Sequence, residues 1–476
     1  MMYIRNISTR LLFAVGVIAN LGTSCSGEPP PPQPAIQAEV RPIQLNVFFE
    51  SSGSMDGYVN GVTDLESAMM SLIGGIGRSF QTSKNAVADN VRRQSFVLEG
   101  INLYTVASGD DGKAAATRRI SNASIEAIDS WFRLLEPKTL GALDGRKSSE
   151  LQSVLKLALD SVNDKKVSLL ISDMILSPKN IDRSGQDGSN SLALQMERIL
   201  LREQSQIVNS FSEALNRSSK RIAMLGYRFE SQYHGFYAPE ARVVKPKAKQ
   251  IKGGAGNVVM NARPYFVWII GSVESIEQIV RRVNVDQLRE HRLTHACMMV
   301  EQTAKQKNIQ YSVVSPLGLR YPKAVARNTG SYIKPEESNK VSVTGLANGR
   351  IVYAVDVVLP IHKHYGTVEA TISGTSNGHK DQIILCDRLS NGVYRTYVST
   401  IFPGGEVPSY GATTKITFAH AKPSWFTEFS VDDDDGTIAD SVKQGQTFGL
   451  RFLMEGVWRA FYQQSSTVGT IQIELN

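Results

Sequence analysis

The chain has 476 residues, too many for one ordinary domain and enough for two or three. Its 42% hydrophobic and 20% charged residues are globular values and exclude a disordered or fibrous chain. The net charge of +7 is a mild bias. Nucleic-acid binding calls for a concentrated basic stripe with aromatic residues, and the one dense basic stretch, Arg242 to Lys252, reads as an exposed loop with Pro246 inside it.

The first 25 residues form a targeting segment. Arg5 and Arg10 supply the positive end, and Leu11 to Leu21 is an apolar run of signal-peptide length, short for a bilayer span. It closes on small residues and Cys25, a pattern similar to a bacterial lipoprotein signal, in which that cysteine carries the lipid anchor. Residues 26–40 follow as a proline-rich tether that would hold a folded body off a membrane of the cell envelope.

Beyond the tether, Leu45 to Phe49 reads as a buried strand that stops at Glu50-Ser51-Ser52-Gly53-Ser54. Thr63 to Phe80 has apolar residues at helical spacing, Ser95 to Val106 alternates as a strand, Ser124 to Leu135 reads as a short amphipathic helix, and Ser148 to Val162 reads as a helix that opens on candidate cap serines. Within the first helix, Ile73 to Gly77 lacks the lysine of a phosphate loop, and its small residues suit close helix packing. Val167 to Met174 is a second buried strand with Asp173 at its carboxyl end. After a long helix over Ala193 to Asn216 come strands at Arg221 to Phe229 and Tyr265 to Gly271, then a helix at Val273 to Val283. Strands alternating with helices predict an α/β domain over 41–300, a doubly wound, mostly parallel sheet with insertions.

From 335 to 476 the pattern changes to short strand-like runs separated by turn residues, the spacing of a β-sandwich. Thr447 to Tyr462 departs from it. Its apolar face of Leu450, Leu453, Met454 and Val457 predicts a helix packed on the sandwich or on the first domain. Cys297 and Cys386 are too few for a disulfide scaffold, and sequence leaves their pairing open. His362 and His364 read as a surface pair, Asp432 to Asp435 as a solvated acidic loop, and Trp425 and Phe426 as packing residues.

The chemistry-bearing set is Glu50, Ser52, Ser54, Ser149 and Asp173. A carboxylate and two alternate hydroxyls at the end of a buried strand aim hard oxygens at one point, which suits Mg²⁺, Mn²⁺ or Ca²⁺. The pattern resembles the Asp-x-Ser-x-Ser element of a von Willebrand factor A domain, with Glu50 in the place of its aspartate. Ser149, in Gly145-Arg146-Lys147-Ser148-Ser149-Glu150-Leu151, matches that family's threonine. Asp173, in Leu169-Leu170-Ile171-Ser172-Asp173, matches its second aspartate, with Met174 where the family has glycine. The resemblance covers about residues 43 to 285. It implies a metal-ion-dependent adhesion site that binds a protein partner through an acidic side chain, without turnover and without nucleic acid. A metal-dependent hydrolase of an envelope substrate and a metal-free scaffold are the alternatives.

Overall fold

The computed structural model describes residues 40–81, 95–108, 114–140, 151–176, 189–219, 221–237, 256–301, 309–314, 333–337, 339–346, 348–359, 365–375, 379–390, 392–407, 411–434, 436–463 and 465–476. Residues Glu39–Asn476 form one compact unit. Cys25, residues 26–39 of the tether, the basic stretch Arg242 to Lys252, Ser149, His362 and His364 lie outside the described residues, whereas Val40 already belongs to the first strand.

The first strand, β1 (Val40–Glu50), is apolar toward both sides and runs through the centre of the largest sheet. Ile43, Leu45, Val47 and Phe49 face one apolar core, and Phe48 faces the other. A strand buried on both faces needs this near-continuous apolar run. Its polar exception, Asn46, accepts a 3.0 Å hydrogen bond from Asn102 Nδ2. The same Asn102 takes the backbone N–H of Asn122 through Oδ1 at 3.0 Å, so both buried amides are used.

Helix α1 (Asp64–Gln81) buries Leu65, Ala68, Met69, Leu72, Ile73, Ile76 and Phe80 against the first core. The three- and four-residue spacing of these positions makes one stripe, and Asp64 and Glu66 sit in the first turn, where the helix dipole favours negative charge. The glycines of Ile73 to Gly77 fall inside this helix, as the sequence predicts.

The sheet continues through β2 (Ser95–Ser108), β3 (Ala114–Ala123), β4 (Lys166–Ser172), β5 (Ile222–Tyr237), β6 (Gly256–Ser272) and β7 (Leu293–Val300), in the order β3-β2-β1-β4-β6-β5-β7. Intervening helices are α2 (Ile125–Arg133), α3 (Leu151–Asp160), α4 (Ser189–Arg217), α5 (Val273–Arg282) and α6 (Val285–Glu290). Ser124 caps α2 by accepting from Ala127 N at 3.3 Å, and Ser272 caps α5 by accepting from Ser275 N at 3.2 Å.

The fold is α/β, but the expectation of a mostly parallel sheet is corrected. Only β1–β2 and β1–β4 are parallel, while β2–β3, β4–β6, β5–β6 and β5–β7 are antiparallel. The cause is a long hairpin. β5 and β6 pair from Ile222↔Ser272 out to Tyr237↔Gly256, so β6 turns back between β4 and β5. The inner half of this hairpin is buried on both faces, whereas its outer half alternates buried Tyr233 and Tyr237 with exposed neighbours.

Further strands are β8 (Gln310–Val314), β9 (Ile333–Glu337), β10 (Lys340–Val343), β11 (Arg350–Val358), β12 (Thr367–Thr375), β13 (Lys380–Ser390), β14 (Val393–Ile401), β15 (Ala412–Ala421), β16 (Ser430–Val431), β17 (Thr447–Phe448) and β18 (Thr467–Leu475). They form a five-stranded sheet, β12-β15-β18-β10-β9, a four-stranded sheet, β13-β14-β11-β8, and the short β16–β17 pair. The two larger sheets are antiparallel apart from β10–β18, and they share one apolar cluster that includes Tyr353, Val355, Val398, Ile416, Phe418 and Ile471.

Between β15 and β18 the chain leaves these sheets. Trp425, Phe426 and helix α7 (Leu450–Tyr462) complete the second core of the seven-stranded sheet, with Leu453, Met454, Val457 and Phe461 against Leu200, Ile207 and Phe211 of α4. The helices cross at Gly456, where an added Cβ would lie 3.1 Å from the Gln204 carbonyl oxygen. Gln204 locks the crossing by donating to the Phe452 carbonyl at 3.2 Å. Two buried arginines hold the approach to α7. Arg228 of β5 donates to Gly445 O at 2.7 Å, and Arg263 of β6 donates to Gln444 O at 3.3 Å and Gln446 O at 3.0 Å. Carbonyl acceptors make these buried cations tolerable in the low-dielectric interior.

Candidate functional site

The carboxyl ends of β1 and β4 lie side by side, in register at Phe49↔Ile171. One step further, Glu50 stands level with Ser172 and the following residues form the rim of the sheet, the place where open α/β sheets carry ligands. Ser51 fixes this rim, its N–H and hydroxyl both donating to the Val106 carbonyl at 2.8 Å and 3.0 Å. The 3-10 turn Gly53–Tyr58 then carries the chain away.

Glu50 is 1% exposed and its Oε2 accepts a short hydrogen bond from the Ser172 hydroxyl. Ser172 also accepts from Met174 N at 2.9 Å. Alternation along the strands puts Glu50 on the side of the second core, with its neighbours Phe48 and Val106. Ser52 and Ser54 lie together, their hydroxyl oxygens 2.9 Å apart.

Asp173 is 2% exposed. Its Oδ1 accepts from Ile175 N at 3.3 Å, and its Oδ2 is buried with no hydrogen-bond partner. Burial raises its carboxyl above the ordinary aspartate range, and the neighbouring Ser54 hydroxyl and the Arg263 guanidinium pull against the rise. The structure therefore brings Ser52, Ser54 and Asp173 together and engages Glu50 with Ser172. Met174, in the position where the resembled family has glycine, adopts φ +54°, the left-handed conformation glycine favours.

A buried polar cluster backs this rim. Burial pulls the Arg263 guanidinium down, but Tyr237, Tyr58, Asp173 and Tyr233 around it outweigh that and leave it raised. Arg263 lies over the Tyr237 ring at 4.9 Å, and Tyr237 donates to Asp434 Oδ2 at 2.9 Å. The phenols of Tyr58 and Tyr233 are pushed up by burial, with Arg263 pulling them down. Gly57 permits this packing, since a Cβ there would meet the Tyr233 ring at 2.3 Å. Sequence reasoning passes over Arg263 and the tyrosines. The signal for Arg263 is a charged residue opening the apolar run Tyr265 to Gly271, and Ser172 stands inside the quoted Leu169–Asp173 motif.

Hard oxygens from Ser52, Ser54 and Asp173 Oδ2 fit Mg²⁺, Mn²⁺ or Ca²⁺ in kind, and the unpartnered Oδ2 is the atom that asks for a cation or a proton. The set is modest in charge. Among the described residues no group of three or more His, Cys, Asp or Glu side chains is placed to hold a metal. The acidic loop is otherwise engaged: Asp432 pairs with Arg451, and Asp434 is buried against Tyr237. Trp425 and Phe426 pack in the second core, and Cys297 and Cys386 are both free thiols, the former pushed up to about 12 by burial. Among the described residues no helix is long and apolar enough to cross a membrane.

Comparison with protein-family models, with curated proteins and with solved structures finds no match to this chain.

Proposed function

We propose that this chain is a lipid-anchored protein of the cell envelope that binds a protein partner at the rim formed by β1 and β4. In this reading the rim is a modified metal-ion-dependent adhesion site on a von Willebrand factor A-like body, followed by a β-sandwich-like body. The observation that carries it is the buried, unpartnered Asp173 Oδ2 beside the Ser52–Ser54 hydroxyl pair at the carboxyl ends of two parallel strands. Ser52, Ser54 and Asp173 would hold a hard divalent ion, with Ser149 as a further hydroxyl of the set. Such an ion would supply a Lewis-acidic centre for a partner carboxylate. Glu50 supports the rim by accepting from the Ser172 hydroxyl, which ties the ends of β1 and β4 together.

A metal-free docking rim is the second reading. It is favoured by Arg263, whose buried positive charge already faces Asp173. Titration calorimetry of Mg²⁺ and Mn²⁺ into the chain lacking residues 1–25 separates the two. The adhesion-site reading expects saturable heat in the wild type and none with Asp173→Ala. A wild type without heat discards the ion and leaves the metal-free rim.

A further inference from the structure

From the geometry of the outer strand two places from β1 in the same sheet we infer a second docking surface. The edge of β3, residues Ala114–Arg118, which pairs with no further strand among the described residues, accepts an extended acidic segment of a partner protein as an eighth strand. β3 is the outer strand beyond β2. Ala115, Ala116, Thr117, Arg118 and Arg119 are exposed in succession, so this stretch stays accessible although α2 and α3 approach the strand. An uncovered edge strand presents a row of unpaired N–H and C=O groups, which is the template for strand addition. Three alanines and a threonine leave those groups open to approach.

The pairing of β3 with β2 is regular from Ser108↔Ala114 to Tyr104↔Arg118, and beyond that the register shifts twice. Such bulges twist an edge away from partners. They confine the accepting segment to its first five residues, which stand beside the rim, since Ala116 is level with Val106 and Val106 with Glu50.

Charge selects the occupant. Arg118 is steadied by Tyr104, to whose hydroxyl it donates at 3.1 Å, and Arg119 donates to Thr105 Oγ1 at 2.7 Å. Neither arginine has a carboxylate partner among the described residues, and successive positions project to opposite faces of the edge. An acidic strand would meet a guanidinium on each side. A second copy would bring two more arginines, four across the paired strands with no carboxylate on either strand, in a chain already at +7.

The test is fluorescence anisotropy of a fluorescein-labelled peptide of alternating glutamate and valine against the full chain, with Arg118→Glu, Ala115→Pro, Ala116→Pro and Asp173→Ala variants. Adjacent residues point their N–H groups to opposite sides, so one of the two proline variants spares the ladder to β2 and keeps the wild-type circular dichroism and melting temperature. The expected result is saturable binding that weakens about tenfold or more with Arg118→Glu and with that proline variant, and that survives Asp173→Ala. Survival of Asp173→Ala keeps this surface distinct from the ion site. No binding to the wild type overturns the inference, as does binding that persists in both proline variants. A dimer seen by sedimentation equilibrium that the proline disperses, without peptide binding, also overturns it by assigning the edge to a second copy.

Discussion

Asp173 and Met174 carry opposite physical problems on adjacent residues. Asp173 keeps a carboxylate in a buried place, and its raised folded-state pKa means that the folded chain holds the proton more tightly than the unfolded chain. The stability it contributes is complete below the unfolded aspartate value and is lost as pH rises through the folded value. In chelator at neutral pH, Asp173→Asn is therefore expected to melt above the wild type, with the gap closing on acidification toward pH ~4. A gap that widens in acid would contradict this sign. Met174 bears a left-handed backbone that costs about 1–2 kcal/mol in a residue with a side chain, yet it is fully buried in the second core. Loss of that side chain costs about 2–5 kcal/mol, so packing outweighs backbone strain. Met174→Gly is expected to destabilise by roughly 1–3 kcal/mol in urea unfolding, and a stabilised variant would show that strain dominates.

At the scale of elements, the sequence predicts best where periodicity is local. β1 and α1 follow from an apolar run and from a helical stripe, and the positions of Ser52, Ser54 and Asp173 at strand ends follow with them. β3 escapes prediction because most of its residues are exposed and its sequence has no apolar alternation. The position of β6 between β4 and β5 is a pairing choice between distant segments, which no local pattern encodes. Arg263 joins Asp173 through that same distant pairing. The apolar face of α7 is legible, but its choice of α4 over the nearby antiparallel sheets rests on the Gly456 crossing and on the Arg228 and Arg263 contacts to residues 444–446. Leu453→Ala, which opens a cavity between α7 and the seven-stranded sheet, is expected to cost about 2–5 kcal/mol. Tryptophan fluorescence and far-UV circular dichroism in urea should shift together, because the helix and the sheet share a core. A shift in only one signal would show that α7 is an independent attachment.

For the whole molecule, the chain returns late to finish what it began early. Residues after β15 close the second core behind β1 and β4, and buried side chains of β5 and β6 bind the loop that leads into α7. The rim is thus held from both sides, by α1 and the hairpin on one and by α3, α4 and α7 on the other. Preorganisation of this kind suits a binding site whose oxygens are placed before a ligand arrives. The adhesion-site reading holds that these oxygens take a hard divalent ion. It is tested most directly by anomalous diffraction from crystals of the chain grown with Mn²⁺. One anomalous peak is expected within about 2–2.5 Å of Ser52 Oγ, Ser54 Oγ and Asp173 Oδ2. Crystals with the rim open to solvent and no peak there, Asp173 keeping its contact with Ser54 and Arg263 alone, would contradict it.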